Sequence, residues 1–356
     1  MIGPALVVAL LAALPRAAPA VPAGLTPRQL AGQRVITPFA GTTMPASLAA
    51  RIRRGEVGGV ILFGANVRSV AQVRALTRAI RSVPGPAGLP PVLVTVDQEG
   101  GLVKRLPGPP TMSAAQMGRT GRAAVARVQG RATGRLLRRA GVQVDLAPVL
   151  DVARPGTTMA ETDRAFGGRP ALVGRMATAF ALGLRGAGVA PTGKHFPGLG
   201  AAPVNTDDAT VRIRLPLRTI RAVDERPYRQ AKAAGAHGQV MLTSAKRNIV
   251  GVAAAYPALD PARPAGLSSR VIRDELRGRL GFRGVTITDA LDTPAVAPYG
   301  GTGQVARIAA RAGEDLLLYA SDEATAGRAV EGLAAGLTSG ALPRADFEAA
   351  VGRVLA

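Results

Sequence analysis

Eight short apolar runs recur along the chain, most of them separated from the next by a stretch with helical periodicity. That alternation constrains the fold more than any other feature. The runs cover residues 34–39, 59–64, 92–97, 142–146, 188–193, 239–243, 285–289 and 316–319. They are continuously apolar rather than alternating, as strands of a parallel sheet covered on both faces must be. Between them, residues 70–81, 123–140, 171–184, 268–280 and 305–312 carry apolar side chains at helical spacing. Ser268-Ser269 offers an N-cap, and Gly281 sits where a glycine would end that helix. Eight β/α units predict a (β/α)8, TIM-like barrel forming a single domain over residues 23–356. An open, doubly wound sheet is the alternative, but no glycine-rich dinucleotide turn follows the first run.

Composition narrows the chemistry. Hydrophobic residues make up 47% and aromatics only 3%, so Ala and Gly must fill close helix–sheet contacts. There is no Cys, hence no disulfide and no thiol nucleophile. With two His in the whole chain, a histidine-rich metal site is not expected. The net charge is +22, and all but four of its cations are arginines, strung along helices without interleaved aromatics. Stacking of bases is therefore disfavoured, and no specific nucleic-acid partner is expected; attraction to an anionic envelope polymer fits better. An apolar run over residues 3–14, followed by Ala18-Pro19-Ala20, reads as a secretory signal within residues 1–22. The run is too short to span a bilayer, so an exported monomer with no membrane span after signal removal is expected.

In a barrel, function gathers at the carboxyl ends of the strands. There the sequence places Asp97-Gln98-Glu99-Gly100-Gly101, Asp151, Lys194-His195-Phe196-Pro197-Gly198, Thr243-Ser244 and Asp289. Asp289 is either a reactive carboxylate or the cap of a following helix. The Asp97 segment either grips sugar hydroxyls or stabilises its own turn. Arg164 either forks onto a polar ligand or pairs with Asp163. His237 reads as structural. Asn205-Thr206-Asp207-Asp208 is an acidic patch in a basic protein, or an ordinary turn.

Taken together, these residues resemble glycoside hydrolase family 3, in its single-domain β-N-acetylhexosaminidase branch. Gly58-Gly59-Val60-Ile61-Leu62-Phe63, Leu146-Ala147-Pro148-Val149-Leu150-Asp151-Val152, Asp163-Arg164-Ala165-Phe166-Gly167 and Gly281-Phe282-Arg283-Gly284 add to the motifs above, in the family's order. The resemblance implies a retaining glycosidase acting on terminal β-linked N-acetylglucosamine of glycans or cell-wall fragments, without metal or cofactor. It makes Asp289 the nucleophile and places Asp97, Arg164, Lys194 and His195 against the sugar's hydroxyls. It leaves a β-glucosidase or β-xylosidase of the same family, or a catalytically weakened glycan-binding barrel, as alternatives. The sequence departs from the family at Leu199, where a His is usual, and at Leu102, where an Arg is common. Asn205 and Asp207 stand at the Asp and His of the family's acid/base dyad. Asp207 is then itself the acid/base, or the loop is structural and the enzyme slow.

Overall fold

The computed structural model describes residues 21–208, 211–237, 248–251 and 254–356. The apolar signal-like run and the predicted strand over residues 239–243, with Thr243-Ser244, lie outside the described residues. Eight strands form one parallel sheet: β1 (Val35–Thr37), β2 (Gly59–Leu62), β3 (Leu93–Val96), β4 (Val144–Asp145), β5 (Ala190–Phe196), β6 (Asn248–Gly251), β7 (Val285–Thr288) and β8 (Leu317–Leu318). The spatial order is β8-β1-β2-β3-β4-β5-β6-β7, so neighbours in sequence are neighbours in space. The sheet curls until its edges meet: Leu316 N–H donates to the Thr286 carbonyl (2.9 Å), and Thr288 N–H donates to the Leu316 carbonyl (3.0 Å). This is an α/β fold of barrel character, and the open doubly wound alternative fails on that closure.

Burial on both faces accounts for the continuous apolar runs. Ile36, Ile61, Val144, Ala190, Ile287 and Leu318 join one cluster. Their strand neighbours Val60, Leu62, Val94 and Val96 point the other way, into the layer shared with helices. The helices start and stop on local signals. Ser69 Oγ accepts from Gln72 N–H at the start of Val70–Ser82, and Gly141, in the left-handed region at φ 81°, ends Ala123–Ala140. Ala123–Ala140 packs closely on Pro170–Gly186 because glycines face each other there. A Cβ on Gly130 would lie 2.2 Å from the Phe180 carbonyl oxygen, and one on Gly183 would lie 2.4 Å from that of Arg127. The expected helix over residues 268–280 is wound as a wider π-type helix at Arg270–Arg279, with Ser268 Oγ accepting from Val271 N–H at 3.2 Å. Among the described residues, no helix is long and apolar enough to cross a membrane.

Candidate active site

The site is built at the carboxyl ends of β3, β4, β5 and β7. Directly after β3, Asp97 leads into an antiparallel ribbon, Gln98–Gly100 with Val103–Lys104. Gln98 holds that ribbon in shape. Its Nε2 donates to the Leu106 and Pro109 carbonyls (both 2.9 Å), and its Oε1 accepts from Arg105 and Leu106 N–H (3.0 and 2.9 Å). Its own N–H donates to Asp145 Oδ1 (3.0 Å), a carboxyl that burial pushes up to about 8. With Gln98 so occupied, Asp97 and Glu99 turn together toward β5.

Sequence reasoning placed Lys194 and His195 just beyond the fifth strand. They lie within it, because β5 runs on through Phe196. Adjacent strand residues should face opposite sides, yet both side chains reach site carboxylates. The pairing of β5 with β6 shifts register between Gly193 and Phe196, and such irregularities re-aim side chains; the Lys194–His195 peptide bond is cis. Lys194 Nζ lies 2.6 Å from Asp97 Oδ1 and 2.7 Å from Glu99 Oε1. Arg164 grips Glu99 with two parallel bonds, Nε to Oε2 at 2.9 Å and Nη2 to Oε1 at 2.8 Å. Asp163 instead lies 3.9 Å from Arg119, so the Asp163–Arg164 pair does not form. Burial alone would raise the Glu99 carboxyl; Lys194 and Arg164 outweigh it and hold Glu99 at about 2. Burial would likewise lower the Lys194 ammonium, but Asp97 and Glu99 push it above its ordinary value.

His195 is oriented from behind by Asp151, a wholly buried carboxylate. Asp151 Oδ2 lies 2.6 Å from His195 Nδ1, while Oδ1 accepts the His195 N–H (3.2 Å) and the Leu199 N–H (2.6 Å). With its Nδ1 proton given to Asp151, the ring keeps Nε2 for other partners; Arg164 Nη2 is 3.5 Å from it. Read from sequence, Glu99 figures only within the Asp97 segment and Asp151 only as a strand-end carboxylate, neither with a role toward a named partner. Glu99 stands two residues from Asp97, the spacing that shares a face in extended chain, and that signal was there to be used.

Asp289 follows β7 and accepts only the Ala290 N–H, on Oδ1 at 3.0 Å, among the described residues. It caps no helix, since Thr293 is the cap of the following turn, Pro294–Tyr299. Nearby Asp292 does the structural work, accepting from Ala320 N–H and Ser321 N–H and hydroxyl. Burial raises the Asp289 carboxyl; the positive potential of His195 opposes this, the Asp207 charge adds to the rise, and Lys194 opposes it more weakly. Asp207 is exposed, and Asn205 holds it: Asn205 Nδ2 donates to Asp207 Oδ2 at 3.1 Å. Leu199 is packed into the core at 2% exposure, while Leu102 at the ribbon tip is 74% exposed. His237 is the last residue of the helix Arg226–His237. No group of three or more His, Cys, Asp or Glu is arranged to hold a metal among the described residues.

The buried Lys194–Arg164–Asp97–Glu99 network predicts a measurable cost. Lys194→Met should destabilise the protein by about 3–5 kcal/mol, since it strands two carboxylates that are buried or nearly so. Urea unfolding reads this directly. A loss below about 1 kcal/mol would mean that water already solvates those groups.

A curled parallel sheet whose strand ends gather ion-paired carboxylates defines a protein of the α/β-barrel type with its candidate site at the strand ends. The model of the glycosyl hydrolase family 3 N-terminal domain matches residues 28–356. The chain belongs to glycoside hydrolase family 3 and is a glycoside hydrolase. It is 39% identical over 350 residues to an uncharacterized secreted glycosyl hydrolase of Arthroderma benhamiae, covering 96% of this chain and 95% of that one. It is 34% identical over 292 residues to a β-hexosaminidase of Nitrosomonas eutropha, with 80% and 79% covered. The solved family 3 β-N-acetylglucosaminidase from Paenibacillus superposes with a TM-score of 0.86 at 32% identity, over 93% of this chain but only 62% of the other. The β-N-acetylhexosaminidase from Beutenbergia cavernae superposes at 0.83 with 28% identity, over 94% and 98%.

Proposed function

We propose that the protein is an exported, retaining exo-glycosidase that removes terminal β-linked N-acetylglucosamine from glycans or cell-wall fragments. Residues 23–356 act as one (β/α)8 catalytic unit. The observation that carries the reading is Asp289. It is a half-buried carboxylate at a strand end, engaged by one backbone N–H among the described residues and set in the fields of His195, Lys194 and Asp207. A carboxylate so lightly engaged is free to attack.

In the proposed reaction, Asp289 attacks the anomeric carbon while the glycosidic C–O bond breaks. The leaving oxygen takes a proton from Asp207, giving a covalent glycosyl-enzyme. Asp207 then removes a proton from water, which displaces Asp289 and frees the sugar. A retaining pair sits roughly 5–5.5 Å apart. The influence of Asp207 on the Asp289 carboxyl supports their closeness. Asp97, Arg164, Lys194 and His195 hold sugar hydroxyls, with Glu99 and Asp151 fixing three of them in place. No metal or cofactor takes part.

The test is a panel of aryl β-glycosides differing only at the sugar. The N-acetylglucosaminide should give the highest kcat/KM. A higher value on the glucoside or xyloside would move the protein to those activities. Binding of wall glycan without turnover of any member would make it a weakened glycan-binding barrel.

A further inference from the structure

The arginines that look scattered along the sequence are gathered by the fold. Three successive outer helices, Val70–Ser82, Ala123–Ala140 and Pro170–Gly186, carry ten arginines and no Asp or Glu. Elsewhere on the barrel, Glu323–Thr338 and Arg344–Leu355 carry four acids against three arginines. These three helices thus carry positive charge that no acid of their own offsets. Where the first two of these helices meet, Arg74, Arg78, Arg81, Arg138 and Arg139 line a groove of about 540 Å³ with Thr77 and Ser82. Four of these arginines are exposed and Arg81 is half-buried. Among the described residues, none of the five has a side-chain hydrogen bond or ion pair, whereas arginines elsewhere do, as Arg277 and Arg353 show on Asp315. Uncompensated guanidiniums that converge repel one another and raise the local potential.

We propose that this groove binds a linear anionic polymer with a phosphodiester in each repeat and no bases. Guanidinium forks match phosphate oxygens, and several in a row suit an evenly charged chain. The groove lies between two helices, so a thin chain can enter it while a flat bilayer cannot. The two helices that form it carry no aromatic side chain on which bases could stack. Both helices run toward the amino ends of β3 and β4, and most of the groove arginines lie in their last turns. The groove therefore opens at the end of the barrel away from Asp289, and a chain held there leaves the catalytic mouth free.

The experiment uses the whole protein and poly(glycerol phosphate), with single-stranded DNA of equal phosphate number and vesicles rich in anionic lipid as competing ligands. Poly(glycerol phosphate) should bind most tightly, with log affinity falling linearly with log salt. The triple change Arg74→Gln, Arg78→Gln and Arg138→Gln should weaken binding at least about tenfold at fixed salt. The triple change Arg263→Gln, Arg270→Gln and Arg283→Gln, three exposed arginines away from the groove, removes the same charge and should leave binding nearly unchanged. Turnover of a small aryl glycoside should be the same in all three proteins, so this result stands apart from the glycosidase assignment. Equal weakening by both triples would reduce the effect to net charge and overturn the site. Tighter binding of DNA or vesicles, or no binding, would overturn it as well.

Discussion

Asp289→Asn is expected to lower turnover of an aryl β-N-acetylglucosaminide by on the order of 10⁴-fold or more. Asparagine keeps the shape of the side chain and can still receive the Ala290 N–H, but its amide oxygen cannot form the glycosyl ester. The groups proposed to hold the sugar are untouched, so the loss should fall on kcat and leave KM nearly as it was. Folding provides a second, opposite readout. The Asp289 carboxyl is raised in the folded protein, chiefly by burial. Its contribution to stability is complete below its unfolded pKa and is lost as pH rises through the folded value. Asparagine escapes that loss, so the variant should match or exceed the wild type in stability at neutral pH, and the difference should vanish in acid. An inactive variant that is also stable is a chemical knockout. Wild-type turnover by Asp289→Asn would remove the nucleophile assignment outright.

Asp207→Asn is expected to slow hydrolysis by about 10²–10⁴-fold when the leaving group is poor, and far less in the glycosylation step when it is a nitrophenolate. The contrast arises because a good leaving group departs without a proton, whereas an alcohol needs one. A pH effect accompanies the chemistry. Activity requires Asp289 ionised and is lost as pH falls through its pKa, which burial raises, so the acid limb of wild-type kcat/KM should lie above the ordinary carboxylate range. Unchanged rates on a poor leaving group would return residues 205–208 to an ordinary turn.

Much of the architecture could be read from the chain, because two-sided burial leaves unbroken apolar runs. Read from sequence, the fifth strand ends at Gly193, since Lys194 and His195 look unlike strand residues. Their charges are tolerated there only because partners from distant segments neutralise them, Asp97 and Glu99 for the lysine and Asp151 for the histidine. Those partners lie 97, 95 and 44 residues away along the chain. Asp151 could be placed at a strand end, but its hold on His195 could not, because no local spacing encodes a contact of that range. The same reason hid the basic groove. Arginines spaced along separate helices look diluted until the barrel sets those helices side by side.

The root of the loop carrying Asp207 is fastened to the body of the barrel at three points. Leu199 N–H is held by Asp151, Gly200 lies so close to Val152 that a Cβ would stand 1.9 Å from its carbonyl oxygen, and Thr158 N–H donates to the Ala202 carbonyl. Beyond Ala202, Pro203 and Val204 are exposed. The stretch standing at the family's acid/base dyad, Asn205 to Asp207, therefore lies beyond the last of these attachments. For protein engineering this makes residues 203–208 an interchangeable cartridge: a histidine-bearing version could be spliced onto the same fixed root while His195 and its carboxylate stay in register.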